Sequence, residues 1–116
     1  RGSVALCEER NVTNVITGAP ARKIPYFNLV EINADGVATL SKPTTPRIER
    51  RQDCPPCFDM NAAVYVWKRN IFMETPGVFY VDTLLYEMPE IRSHDIDTPL
   101  DFDFVELIMT KYADSL

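Results

Sequence analysis

Tyr26-Phe27-Asn28-Leu29-Val30-Glu31-Ile32-Asn33, then Ala34-Asp35-Gly36, then Val37-Ala38-Thr39-Leu40-Ser41-Lys42 is the stretch that decides the fold. Asp-Gly between two runs of alternating apolar and polar residues is a strong hairpin signal, because glycine accepts the positive φ that a tight turn needs. The expectation is an antiparallel hairpin over Tyr26 to Lys42. What flanks it does not read as an all-β protein. Upstream, Ser3 to Glu8 is a short apolar run ended by charges, the pattern of a buried strand in a mostly parallel sheet. Asn11 to Lys23 is polar and carries Gly18 and Pro20, so it reads as loop.

Downstream, Pro43 to Pro56 is a proline-rich, basic connection with no apolar period, long enough to be a functional arm. Ala62 to Trp67 is a second buried-strand candidate, with Trp67 and Tyr65 as core rather than as a ligand platform. A short helical turn is expected around Ile71 to Glu74 before Pro76-Gly77, and Thr83 to Met88 reads as a strand closed by Pro89. From Pro99 to Tyr112 the period becomes helical. Thr98 can cap this helix, Pro99 suits its first position, and Asp101 falls in the first turn where a carboxylate favours the dipole. Leu100, Phe104, Leu107, Ile108 and Tyr112 give it an apolar stripe. Strands and helices in this order predict an α/β unit spanning residues 1–116, with a hairpin and arm inserted at 24–58.

At 116 residues, 46% apolar and 25% charged, the chain is the size and composition of one folded unit rather than a disordered segment. Seventeen acidic residues against twelve basic ones, with no long basic run, argue against a nucleic-acid partner. The one dense basic patch, Arg47, Arg50 and Arg51, suits a small anion or a subunit contact. No stretch has the length of a bilayer-spanning helix and no leader pattern is visible, so no membrane partner and a cytoplasmic location are expected. Three cysteines are too few for a disulfide framework and fit a reducing compartment.

Asp95 and Asp97 are separated by one residue just before the last helix, and extended backbone turns residues i and i+2 to one side. Two converging carboxylates repel unless a cation lies between them, and Mg²⁺ takes one or two carboxylates with substrate phosphates and water. Such a site serves phosphoryl and nucleotidyl transfer, in which charge grows on oxygen. The competing reading is a solvated acidic stretch ahead of a helix cap.

The surroundings favour the first. Tyr86-Glu87-Met88-Pro89-Glu90-Ile91-Arg92-Ser93-His94-Asp95-Ile96-Asp97-Thr98-Pro99-Leu100-Asp101-Phe102 resembles the C-terminal signature of CMP-sugar synthetases of the acylneuraminate cytidylyltransferase type. Arg51-Gln52-Asp53, Asn61-Ala62-Ala63-Val64-Tyr65-Val66 and Pro25-Tyr26-Phe27-Asn28-Leu29-Val30 resemble further segments of that family. The resemblance implies the C-terminal half of a nucleotide-diphospho-sugar transferase-like, Rossmann-like fold whose inserted hairpin is used for dimerisation. It implies transfer of CMP from CTP to an acidic, sialic acid-like sugar with release of pyrophosphate, in a homodimer. Asp95 and Asp97 would be the catalytic carboxylates that hold Mg²⁺, and Arg51, Gln52 and Asn61 would bind substrate.

The family's glycine-rich, basic triphosphate loop has no counterpart in these residues, so CTP binding in the family manner is not expected of this chain unaided. Ala62 stands where the family usually has glycine after the asparagine. His94 is expected to be structural, since magnesium prefers oxygen ligands. Two other classes are open: a non-catalytic dimerising or binding module derived from the family, and a small redox or zinc protein built on Cys54-Pro55-Pro56-Cys57. The last lacks a strand-turn-helix setting and needs two more zinc ligands.

Overall fold

The computed structural model describes all 116 residues. Its elements run α1 (Gly2–Arg10), β1 (Asn14–Pro20), β2 (Val30–Ile32), β3 (Ala38–Leu40), β4 (Phe58–Trp67), α2 (Arg69–Glu74), β5 (Leu84–Glu87) and α3 (Pro99–Lys111). A three-stranded sheet has the order β4-β1-β5, and β2 and β3 form a second sheet by themselves. The chain resolves into two compact units, one of Arg1–Ala19 with Met60–Leu116 and one of Pro20–Asp59.

The expected strand at Ser3 to Glu8 is a helix, α1. Only Ser3 and Cys7 of α1 are buried, four residues apart on one helical face, whereas a buried strand would hide the whole run. Asn11 ends α1 in the left-handed conformation, at φ 51°. Val12 N–H donates to the Cys7 carbonyl and Asn11 N–H to that of Glu8, the paired bonds of a Schellman stop. Val12 then packs with Cys7 and Val15 in the core.

The expected loop after it is also a strand, and the central one. From Asn14 to Ala19 every residue of β1 is buried. Its polar side chains, which read as loop, are paired inside the sheet unit. Asn14 donates to the Val78 carbonyl at 2.6 Å and accepts from the Thr83 hydroxyl at 2.7 Å. Burial therefore carries no unpaired cost there. β1 runs parallel to β5, with Thr17 beside Tyr86 and Gly18 beside Glu87.

α3 begins as expected. The Thr98 hydroxyl accepts from Asp101 N–H while the Asp101 carboxylate accepts from Thr98 N–H, a reciprocal capping box with Pro99 at the first turn. Its apolar stripe is less buried than the pattern suggests: Ile108 is 7% exposed, but Leu107 is 55% and Leu100 77% exposed.

In the second unit the hairpin forms with shorter strands, Val30 opposite Leu40 and Ile32 opposite Ala38. The Asn33 side-chain oxygen accepts from Asp35 and Val37 N–H, and Gly36 sits at φ 78°. The residues before β2 turn instead of extending, because Phe27, Asn28 and Leu29 N–H all point at the Ile24 carbonyl. The arm that follows has a single 3₁₀ turn, Arg51–Asp53.

Candidate functional site

Within the sheet unit the site residues fall into two groups of opposite character. Asn61 lies in β4 and is 6% exposed. Its side-chain oxygen accepts from the Thr17 hydroxyl at 2.7 Å and from Ala63 N–H at 3.1 Å. Its amide nitrogen reaches the Ser93 hydroxyl at 3.0 Å and the Met88 sulfur at 3.4 Å. One side chain thus ties β1, β4 and the segment after β5 together, and both ends of the amide are occupied.

Ala62 follows with φ 52°. A left-handed alanine inside a strand interrupts the pleat as a bulge does, and places Ala63 N–H over the Asn61 oxygen. This is the position where glycine would sit without strain. Thr17 completes the node: its hydroxyl also accepts from Val64 N–H at 3.2 Å.

Asp95 and Asp97 lie in the irregular stretch between the 3₁₀ turn Glu90–Arg92 and α3, and both are exposed. Neither carboxylate makes a hydrogen bond or ion pair with the protein; Asp97 uses only its N–H, which donates to Asp101 at 3.1 Å. The carboxylate that the helix does use is Asp101. The Thr98 hydroxyl and the N–H groups of Asp97 and Thr98 hold it below the usual aspartate range. The cap is thus made by Asp101, leaving Asp95 and Asp97 free of that work. His94 is half-buried and meets the Phe104 ring edge-on at 4.8 Å, a packing role.

No group of three or more His, Cys, Asp and Glu side chains is gathered in a way that would hold a metal on its own. Two unpaired carboxylates are hard oxygen donors, and they fit a magnesium ion that draws its other ligands from phosphates and water. They do not suit a closed zinc centre.

A second ionic feature lies at the other end of β1. The Asp82 carboxylate accepts from Thr13 N–H at 2.8 Å and from the Thr13 hydroxyl at 3.0 Å, which lowers its pKa. Nothing in the sequence marks this pair, since its partners are 69 residues apart.

Arg51 and Gln52 belong to the hairpin unit. The Arg51 guanidinium donates to the carbonyls of Ala21 at 2.6 Å and Arg22 at 2.8 Å, and Gln52 is exposed. Arg50 pairs with Asp53 through two bonds, at 2.7 and 3.2 Å. The basic patch is therefore largely engaged within its own unit, and Arg47 lines a cavity of about 480 Å³ with Phe27, Val30 and Leu40. Cys54 and Cys57 are free, each with its sulfur near a neighbouring carbonyl, Arg50 at 3.8 Å and Pro55 at 3.4 Å. No helix is long and apolar enough to cross a membrane.

No family model matches the chain. Individual curated proteins do. Over 105 residues, 90% of this chain, it is 41% identical to the post-translational flagellin modification protein B of Campylobacter coli. Over 96 residues, 83% of this chain, it is 43% identical to the CMP-N,N'-diacetyllegionaminic acid synthase of Campylobacter jejuni. The fold is α/β with a mixed sheet and flanking helices, consistent with a Rossmann-like architecture. By descent the chain is homologous to a CMP-sugar synthetase. It spans 43% and 40% of the lengths of these two curated relatives.

Proposed function

We propose that this chain is a portion of a cytidylyltransferase that moves CMP from CTP onto an acidic sugar and releases pyrophosphate. The observation that carries the reading is the state of Asp95 and Asp97: exposed, unpaired, and spared from helix capping by Asp101, in a chain similar to a named CMP-sugar synthase. In this reading the two carboxylates hold Mg²⁺, which when bound offsets the negative charge that grows on phosphate oxygens as pyrophosphate leaves. The anomeric hydroxyl of the sugar attacks the α-phosphate of CTP. The protein's own task is to hold the segment that carries the two carboxylates. A rigid capped helix on one side and the Asn61–Ser93 bond on the other support the segment that carries them.

Asn61 acts here by positioning, since both ends of its amide are occupied. Arg51 and Gln52 lie on the 24–58 insertion, for which we propose a homodimer contact that carries them toward the sugar site of the second subunit. The exposed apolar residues Val30, Ile32 and Val37 of the hairpin support a contact surface. The cytoplasm, where CTP is made, is the compartment this activity requires.

The test is pyrophosphate release by the full-length protein containing this chain, given CTP, Mg²⁺ and N,N'-diacetyllegionaminic acid. Turnover that falls at least a hundredfold in Asp97→Asn supports the assignment, on the scale of losing one charge-stabilising group. Unchanged turnover and magnesium dependence in that variant overturn it. A full-length protein that dimerises without releasing pyrophosphate from any acidic sugar is instead a binding module derived from the family.

A further inference from the structure

Within the hairpin unit, the pairing of β2 and β3 sets Val30 opposite Leu40 and Ile32 opposite Ala38, so the period of two puts all four apolar side chains on one face. A two-stranded sheet is marginal unless such a face is covered. Here the cover is partial. Phe27 and the arm residues Pro43, Thr44 and Arg47 border it together with Val30, Ala38 and Leu40, and leave the cavity of about 480 Å³, a size within the usual range for ligand sites. Val30 stays 54% exposed.

The walls are held without an occupant. Ser41 N–H donates to the Leu29 carbonyl and Lys42 N–H to that of Pro25, both at 2.9 Å, and the Thr44 hydroxyl donates to the Pro46 carbonyl at 2.9 Å. Of the three arginines in the basic patch, Arg51 is engaged by the Ala21 and Arg22 carbonyls and Arg50 by Asp53. Arg47 makes no hydrogen bond or ion pair with the protein, and no Asp or Glu lines the cavity.

An apolar floor beside one unpaired guanidinium suits a guest that is apolar at one end and anionic at the other. We propose that this cavity binds a small organic carboxylate with an apolar body, its carboxylate paired by the Arg47 fork and its chain lying on Val30, Ala38 and Leu40. A single cation matches a monoanion. A second copy of the chain is a poorer occupant: in a two-fold contact the patch meets itself, which brings Arg47 toward its own equivalent with no acid in the lining to pair either one. The subunit contact proposed above shares only Val30 with the cavity. The inference rests on the hairpin unit alone and not on the transferase reading.

The experiment is a calorimetric titration of the full-length protein containing this chain with octanoate, and with acetate and 1-octanol as its charged and apolar halves. Octanoate should saturate the protein and bind about tenfold or more tightly than either half. Shortening it to hexanoate should weaken binding by up to about fourfold for each CH₂ lost. Arg47→Gln removes no contact from the fold and should weaken octanoate by about tenfold, the scale of one charge-assisted hydrogen bond, with 1-octanol unaffected. Ala38→Phe should fill the cavity and abolish binding; if that variant does not fold, Arg47→Gln and the chain-length series carry the test. Asp97→Asn should leave octanoate binding unchanged, so failure here and failure of the transferase reading are distinguishable. Three results overturn the proposal: octanoate binding unaltered in Arg47→Gln, 1-octanol binding as tightly as octanoate, or affinity that falls as protein concentration rises, which would mean that a second copy fills the cavity.

Discussion

Asn61 and Asp97 both stand out as site residues in the sequence, yet the protein treats them in opposite ways. Asn61 is buried and every polar atom of its side chain is engaged, by Thr17, Ala63, Ser93 and Met88. Asp97 is exposed and its carboxylate touches nothing in the protein. A side chain with all its bonds made is holding structure. One with none, beside a helix that has already been capped by another residue, is left to solvent or to a ligand. The contrast sets a fully bonded side chain against a free one, and it can be broken or sharpened by four measurements.

The largest effect belongs to Asn61. Asn61→Ala takes one partner each from the Thr17 and Ser93 hydroxyls, which keep Val64 and Pro89, and unties β1, β4 and the segment after β5, so a loss of about 2 kcal/mol in urea unfolding is expected. A loss below about 1 kcal/mol would mean the network is not under load, leaving Asn61 available to a ligand.

The acid limb of stability comes next. Asp82 and Asp101 both have folded pKa values lowered by hydrogen bonds, chiefly from Thr13 and Thr98 respectively. A lowered folded pKa means the contribution is fully present above the unfolded aspartate value of about 4, and is lost as pH falls through the lower folded value. Tm should therefore be flat from neutral pH down to about pH 4 and fall below it. In Asp82→Asn/Asp101→Asn the neutral-pH Tm should be lower and the acid fall shallower. An equally steep fall in the double variant would place the acid sensitivity elsewhere.

How much of this was visible in the sequence depends on how far apart the partners are. The Thr98 cap of α3 and the turn around Asp35-Gly36 are closed by residues three or four apart and were readable, though the return bond of Asp101 and the part of Asn33 were not. β1 was not. Asn14, Thr17 and Gly18 look like loop residues because the groups that satisfy them, Val78, Thr83, Asn61 and Val64, lie 44 to 69 residues away. α1 was misread for a different reason: a short apolar run fits strand or helix, and only the spacing of buried Ser3 and Cys7 decides. At the site, resemblance marked Asn61 and the carboxylates, but the occupation of Asn61 and the sparing of Asp97 are three-dimensional facts. The strain at Ala62 was half visible. An alanine in the usual glycine position said that backbone freedom was lost, and φ 52° gives the conformation that it costs. Ala62→Gly should therefore stabilise the chain, by up to about 1 kcal/mol, because relief of the left-handed alanine outweighs the entropy glycine loses on folding. A destabilised variant would mean the left-handed residue is not strained in its setting.

The smallest effect sharpens the comparison most. Asp97→Asn keeps the shape of the side chain and the backbone N–H that donates to Asp101, and it removes only a charge that has no partner in the protein. Its unfolding free energy should match the parent within about 0.5 kcal/mol, the range of surface changes that touch nothing. Removing one of two neighbouring carboxylates should if anything stabilise the chain slightly at low salt, since Asp95 loses a like-charged neighbour, and added salt should erase the gain. A large loss would show that the carboxylate carries structure after all, and it would then stand with Asn61 as scaffold. An unchanged fold combined with lost magnesium dependence would leave the metal as the reason for the charge, because no folding term would remain to account for it.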